Sequence, residues 1–536
     1  ENPYPGHGPE SCPPMPFLPR PSLISILACA PLALSGAGVS PEVVPAMESA
    51  SSADDEIIAE FKKYYRKYKE VDQKIEAILA LEGVEAKEVV DMLLPLLSAQ
   101  EGEIVEAASR VLGQFKTRGP IDYVFAKLEK ERKPERRAGI LDAVMRGGYV
   151  DLGEALLDCL EDRDWNVRRL ALRAVAAGGK AENAALCLPL CSDKEIAVRC
   201  AALDGLSLMG SDLVRPPAMK ALQDPAWQVR ACAIHALGNV RHKDSMQPLI
   251  EALEREEGRL RADAAAALES LTARGFGQRL ELWQRFWSNY KDRYEIPTDA
   301  ELAALRAKQA EHAEIYKPSD SVAFHGVDTP SRRVLFIIDV SGSMENEVVD
   351  KDRFVDGEYP SYSRIDIVKT ELARTVEGLE PYVEFNILAF ATEVKKWKKG
   401  LTRANVLNKS SAMDFARRLE PLGGASKQEL AEVGLVGAAG LGAGKTNTYG
   451  ALAAGLGLDA KKPKGYHTKL DTIFFLSDGK PTTGQFTERN EILREIKRAN
   501  DLRRIVIHTI ALGQFDKEFM RLLAQENGGV FVDLGE

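Results

Sequence analysis

Asp339, Ser341 and Ser343 occupy alternate positions of Asp339-Val340-Ser341-Gly342-Ser343, directly after a run of branched and aromatic residues, Val334 to Ile338. One carboxylate and two hydroxyls therefore crowd a single turn. All three are hard oxygen donors, a set that suits Mg²⁺, with Mn²⁺ or Ca²⁺ as the alternatives, and does not suit Zn²⁺, which takes His and Cys. Nothing near the turn reads as a general base or an activated nucleophile. The predicted chemistry is thus cation binding without catalysis.

Residues 334–338 read as a strand buried on both faces, and its carboxyl end is where open α/β sheets place their ligands. The chain after it alternates as a doubly wound sheet does. Helices are predicted from Ser363 to about Leu379 and over 408–419, 448–458, 488–502 and 517–526. Strands are predicted over 383–390, 394–399 (a short edge strand full of Lys), 472–476, 505–512 and 529–534.

The Asp-x-Ser-x-Ser spacing resembles the metal-ion-dependent adhesion site of von Willebrand factor type A domains, in which three separated segments hold the ion. Gly444-Lys445-Thr446-Asn447-Thr448-Tyr449-Gly450-Ala451-Leu452 is similar to the second segment, with Thr446 in the ligand position. Ile473-Phe474-Phe475-Leu476 running into Ser477-Asp478-Gly479 is similar to the third, with Asp478 as the acid. The resemblance implies that Ser341, Ser343 and Thr446 contact the ion directly while Asp339 and Asp478 hold it partly through water. Neutral direct ligands leave the ion under-neutralised, with a position open to a carboxylate of a partner protein. Two features depart from the family: a Gly- and Ala-rich insertion over 423–443, and an acidic loop over 345–362. The loop carries Asp350, Asp352, Asp356 and Glu358, but Phe354 interrupts any calcium-loop spacing. The pattern ends on the strand at 529–534, without the final helix of that fold.

A rival reading claims two of the same residues. Ala439 to Thr446, AGLGAGKT, satisfies a permissive phosphate-loop pattern, with Lys445 for phosphate and Thr446 for Mg²⁺, and Asp478 then imitates the second nucleotide motif of an NTPase. That reading leaves Asp339, Ser341 and Ser343 without a purpose. A third possibility is a scaffold in which the metal only braces the sheet.

At 536 residues the chain exceeds a single core. A hydrophobic content of 45% with 28% charged residues is that of a soluble globular protein, and a net charge of -9 argues against nucleic acid as a partner. Residues 1–50 read as a leader. Met15 is a possible start, Arg20 a basic flank, Ser22 to Leu34 an apolar stretch and Ser35-Gly36-Ala37 a cleavage region, so an exported bacterial protein is expected, periplasmic, secreted or surface-attached. No other stretch is apolar enough to span a bilayer. Five of the seven cysteines fall in helical stretches and read as small buried residues.

Residues 54–274 carry an internal repeat. Val167, Val198, Val229 and Leu260 are 31 apart, as are Arg168, Arg199, Arg230 and Arg261, and Ala171, Ala202, Ala233 and Ala264. Asp162, Asp193 and Asp224 share the period, and Arg255 breaks it in the fourth unit. The Asp and Arg are expected to bond from one repeat to the next. The pattern resembles HEAT-like repeats of the phycobilisome-lyase type, an α-solenoid whose long surface suits protein partners. Residues 275–325, with Trp283 and Trp287, read as capping helices and an extended linker, and 326–536 as the von Willebrand factor type A domain. The expected architecture is therefore multidomain: a solenoid followed by a doubly wound, Rossmann-like α/β domain.

Overall fold

The computed structural model describes residues 52–149, 154–178, 181–310, 322–422, 444–458, 468–478, 480–512 and 516–534. The leader, the insertion at 423–443 and residues 439–443 of the phosphate-loop pattern lie outside them.

The repeat builds a two-layered solenoid. Gly102–Leu112, Pro134–Gly147, Trp165–Ala177, Ile196–Leu208, Trp227–Val240 and Arg259–Thr272 pack successively against one another as one layer. Ala171, Ala202, Ala233 and Ala264 are fully buried in it, so small side chains at the crossings let the backbones approach. The period-31 charges form a ladder. Arg168 grips both oxygens of Asp193 at 2.8 and 2.9 Å, and Arg199 grips Asp224 at the same distances. Each Arg also donates to a carbonyl of its own turn, Arg168 to Asp162 O at 2.7 Å and Arg199 to Asp193 O at 2.8 Å. Each Asp in turn caps the next helix start, as Asp193 does by accepting Glu195 N at 2.8 Å.

The ladder does not stop where the sequence suggested. Arg255 is not its end, because Glu256, one position later and one methylene longer, accepts from Arg230 at 2.9 and 3.2 Å. Removing one partner of a largely desolvated pair strands the other. Arg199→Ala is therefore expected to cost about 3 kcal/mol in urea unfolding, whereas Arg110→Ala, which breaks the more exposed pair with Glu82, should cost about 0.5 kcal/mol.

Leu280–Tyr290 closes the array. Trp283 is fully buried, donates Nε1 to Gly277 O at 2.8 Å and meets Phe276 edge-on at 4.8 Å. Both tryptophans of this helix are packing residues. Cys159, Cys187, Cys191, Cys200 and Cys232 are buried free thiols, as their helical positions predicted.

Val322–Phe324 (β1) and Val327–Thr329 (β2) form a hairpin where the sequence suggested only an extended lead-in. Its two-residue turn, His325-Gly326, has φ of 48° and 79°, the pair of positive values that a tight hairpin needs. Phe324 is thereby driven edge-on against Phe336 and Phe474. The main sheet comprises Arg333–Asp339 (β3), Glu384–Phe390 (β4), Val394–Lys396 (β5), Thr402–Arg403 (β6), Thr472–Ser477 (β7), Val506–Ala511 (β8) and Phe531–Asp533 (β9), in the order β5-β4-β3-β7-β8-β9 with β6 also on β4. β3, β4, β7, β8 and β9 are parallel, and β5 and β6 run antiparallel at the edge.

Alternation along β3 sorts its side chains into two cores. Val334, Phe336 and Ile338 pack under helices Arg364–Gly378 and Val406–Arg417. Leu335 and Ile337 pack under Thr448–Leu456, Arg489–Asn500 and Lys517–Glu526. Helices thus cover both faces, and the connections depart to opposite sides of β3, which makes the carboxyl end of β3 the switch point of the sheet.

The solenoid and the α/β domain touch directly. Trp227 Nε1 donates to Thr468 O at 2.8 Å, and Arg259 donates to the carbonyls of Asp471 and Arg504, at the amino ends of β7 and β8. Arg173–Asp501 at 2.6 Å, Arg494–Glu106 at 2.8 Å and Arg504–Asp204 add ion pairs along the same face. This layer of stacked helices therefore faces the chain's own second domain.

Candidate metal centre

The parallel register decides which residues can meet. Ile338 lies opposite Leu476, and Asp339 opposite Phe390, so the turns leaving β3, β4 and β7 come off at one height. Asp339 is fully buried. Its Oδ1 accepts the backbone N–H of Ser341 at 2.8 Å and its Oδ2 accepts the hydroxyl of Ser477 at 2.5 Å. Ser341 Oγ and Ser343 Oγ are 3.3 Å apart, and Ser343 donates to Asp478 Oδ1 at 2.8 Å. The first and third segments therefore meet at this turn.

Thr446 arrives by a different route. It is buried, its N–H donates to Thr482 Oγ1 at 2.8 Å and its carbonyl accepts Thr482 N at 3.0 Å, which ties its segment to the loop that follows Asp478. Asn447 N donates to Ala391 O, just past β4, at 3.0 Å, and Asn447 Oδ1 caps the next helix through Gly450 N at 2.9 Å. No hydrogen bond joins Thr446 to the serine pair among the described residues.

Gly484 holds this arrangement from outside. Its φ is 117°, and a Cβ there would lie 2.2 Å from Asn447 Oδ1. Gly484→Ala should expel the Asn447 cap and displace Thr446, lowering the thermal midpoint by roughly 5 °C and reducing any Mg²⁺-dependent thermal shift, as differential scanning fluorimetry with and without Mg²⁺ would show.

Arg364 was missed as a site residue. Its Nη1 pairs with Asp478 Oδ2 at 2.6 Å, with side-chain exposures of 9% and 0%, and also reaches Ser343 O at 3.3 Å. A signal was present: it is the first residue of a helix, where a cation opposes the helix dipole and so needs another reason to be there.

Burial first, and the charge of Asp478 second, push the Asp339 carboxyl up to about 7. Asp478 is also raised by burial, against the opposing pull of Arg364. Two buried acids share this site, the one guanidinium pairs with Asp478, and the remaining donors are hydroxyls. A hard divalent cation fits that set. Thr448 Oγ1 and Arg364 Nε are buried close in sequence to these residues without a hydrogen-bond partner among the described residues. No group of three or more His, Cys, Asp or Glu gathers among the described residues.

The phosphate-loop alternative fares less well. Lys445 N donates to Thr392 Oγ1 at 3.2 Å and Thr446 N to Thr482, so two amides that a phosphate would need are engaged by side chains.

A von Willebrand factor type A domain model matches residues 354–533, and HEAT repeats match 153–218 and 188–269. The chain carries a type A domain behind a HEAT-repeat solenoid. The matched stretch includes Thr446 and Asp478 and begins after Asp339, Ser341 and Ser343. Inter-alpha-trypsin inhibitor heavy chain H1 of Mesocricetus auratus is 26% identical over 251 residues, 45% of this chain and 22% of that one, so the chain spans about a fifth of that relative's length. Among solved structures, BatB from Bacteroides thetaiotaomicron is 12% identical over 38% of this chain and 90% of its own, with a TM-score of 0.25. The CpcE–CpcF complex of phycocyanin lyase from Nostoc sp. is 17% identical over 46% and 99%, with a TM-score of 0.25.

Proposed function

We propose that the chain is a non-enzymatic protein-interaction or adhesion scaffold whose type A domain binds an acidic group of a partner through a divalent cation, Mg²⁺ before Mn²⁺ or Ca²⁺. Ser341, Ser343 and Thr446 supply hydroxyl ligands, and Asp339 and Asp478 the charge. The observation that carries this reading is the Ser343–Asp478 hydrogen bond beside buried Asp339, which joins residues 135 apart in sequence into one hard-oxygen cluster at the sheet's switch point. The type A domain and the heavy-chain relative support an interaction role.

When bound, the cation would bridge the chain to a partner carboxylate. The chain's own residues orient the bridge: Ser477 and the Ser341 amide fix Asp339, Arg364 fixes Asp478, and Thr482 fixes the Thr446 segment. With one solenoid layer turned toward the type A domain, the second partner surface of this reading is the opposite layer. The leader motivates an exported, periplasmic, secreted or surface-attached location, with 54–274 as the repeats, 275–325 as cap and linker, and 326–536 as the adhesive domain. Among the described residues no helix is long and apolar enough to cross a membrane.

A pull-down from an extracytoplasmic extract, run in Mg²⁺ and in chelator, tests the reading. Asp339→Ala is expected to abolish Mg²⁺-dependent capture, and full capture in chelator would refute it. If the metal only braces the sheet, chelation will lower thermal stability and leave capture intact. If the chain is an NTPase, purified protein will hydrolyse ATP and Lys445→Ala will stop it.

A further inference from the structure

The most exposed large apolar side chains among the described residues are adjacent: Leu407 at 81% and Val406 at 79%, the next being Val349 at 71%. They form the first turn of helix Val406–Arg417, capped by Asn405 through Asn408 N at 2.9 Å. Just before them runs the edge of the sheet, β5 and β6, with Lys395, Lys396, Lys398, Lys399 and Arg403 all exposed. None of these five cations forms an ion pair among the described residues, although the whole chain carries a net charge of -9.

The ribbon is fixed rather than loose. Asn386, on β4, binds both Lys398 O at 2.9 Å and Lys398 N at 3.2 Å. Trp397 stacks on Phe385 at 5.2 Å and donates to Ser411 Oγ at 3.2 Å, which ties the ribbon to the helix that presents Val406 and Leu407. Lysines on an edge strand ordinarily deter pairing with another sheet. That explains the charges and leaves two apolar side chains held in water beside them unexplained.

Long cationic side chains beside protruding apolar ones match an anionic bilayer surface, where phosphates meet the ammonium groups and the apolar pair enters the acyl boundary. A soluble polyanion would satisfy the lysines alone. We infer that the β5–β6 edge, with Val406 and Leu407, is a peripheral docking site for a membrane rich in anionic lipid. The inference does not depend on the cation site.

Cosedimentation of the full chain with vesicles tests it, using phosphatidylcholine alone and with about 30% phosphatidylglycerol. Binding should require the anionic lipid and weaken steeply with salt. Each surface cation near such a membrane is good for about fivefold in affinity, so the quadruple variant Lys395→Gln, Lys396→Gln, Lys398→Gln, Lys399→Gln should bind at least about 100-fold more weakly. The double variant Val406→Ser, Leu407→Ser keeps every charge and should lose about tenfold or more.

Wild-type binding by the double variant, with dextran sulfate captured equally well by both, would make the ribbon a polyanion site and overturn the inference. So would failure of the wild type to sediment. Undiminished binding by the quadruple variant would place the contact in the leader, which all variants share, and loss of binding in EDTA would place it at the cation site; either overturns the inference.

Discussion

Asp478→Ala is expected to destabilise the chain by about 3–5 kcal/mol and to remove cation binding together. Asp478 has no exposed side-chain surface and its partner Arg364 very little, so the truncation leaves a guanidinium buried with no counter-charge. It also deprives Ser343 of its acceptor. Arg364→Gln inverts the electrostatics. It relieves Asp478 of its resident cation and leaves more negative charge for the metal, so it should lower stability in chelator but enlarge the Mg²⁺-induced thermal shift. Urea unfolding of both variants with Mg²⁺ and with chelator separates the effects. Equal stability of Asp478→Ala and wild type in chelator would mean that the pair is solvated.

The second large effect is one of pH. Because the Asp339 carboxyl is raised to about 7 in the metal-free fold, its proton must leave before a hard cation can take full advantage of it. Cation affinity should fall about tenfold for each pH unit below 7, and level off above it. The sign for stability without metal is the opposite. A buried acid raised above its ordinary value favours the protonated fold, so this group's contribution is present at low pH and is lost as pH rises through about 7. Mg²⁺ should therefore raise the unfolding temperature far more at pH 8 than at pH 5.5, as calorimetry at the two values would reveal. In Asp339→Asn that difference should shrink sharply.

The sequence carried the frame of this site well. β3 was legible because five apolar residues in a row, ending in an acid and two serines, fit a strand buried on both faces, and its alternation into two cores follows from that. The period of 31 predicted the Arg–Asp ladder because a repeat places like residues in like environments. It misjudged the fourth rung, since counting positions cannot register that a longer acid one place on reaches the same guanidinium.

What stayed hidden has a common physical character. Trp227 and Arg259 hold the domains together through the carbonyls of Thr468, Asp471 and Arg504, and a backbone acceptor has no residue type to betray it. Thr482 and Asn447 position Thr446 in the same way, from side chain to main chain. The two-residue hairpin turn at His325-Gly326 joins strands of only three residues each, too short for a period to register. Arg364 pairs across 114 residues, and only its awkward place at a helix start distinguished it.

The most direct test is a crystal of the full chain soaked in Mn²⁺, with data collected at the manganese absorption edge. A single anomalous peak within bonding distance of Ser341 Oγ, Ser343 Oγ and Thr446 Oγ1, flanked by Asp339 and Asp478, is the predicted result. No peak in that cluster at a Mn²⁺ concentration that saturates the thermal shift, or a peak held by other residues, would contradict the account.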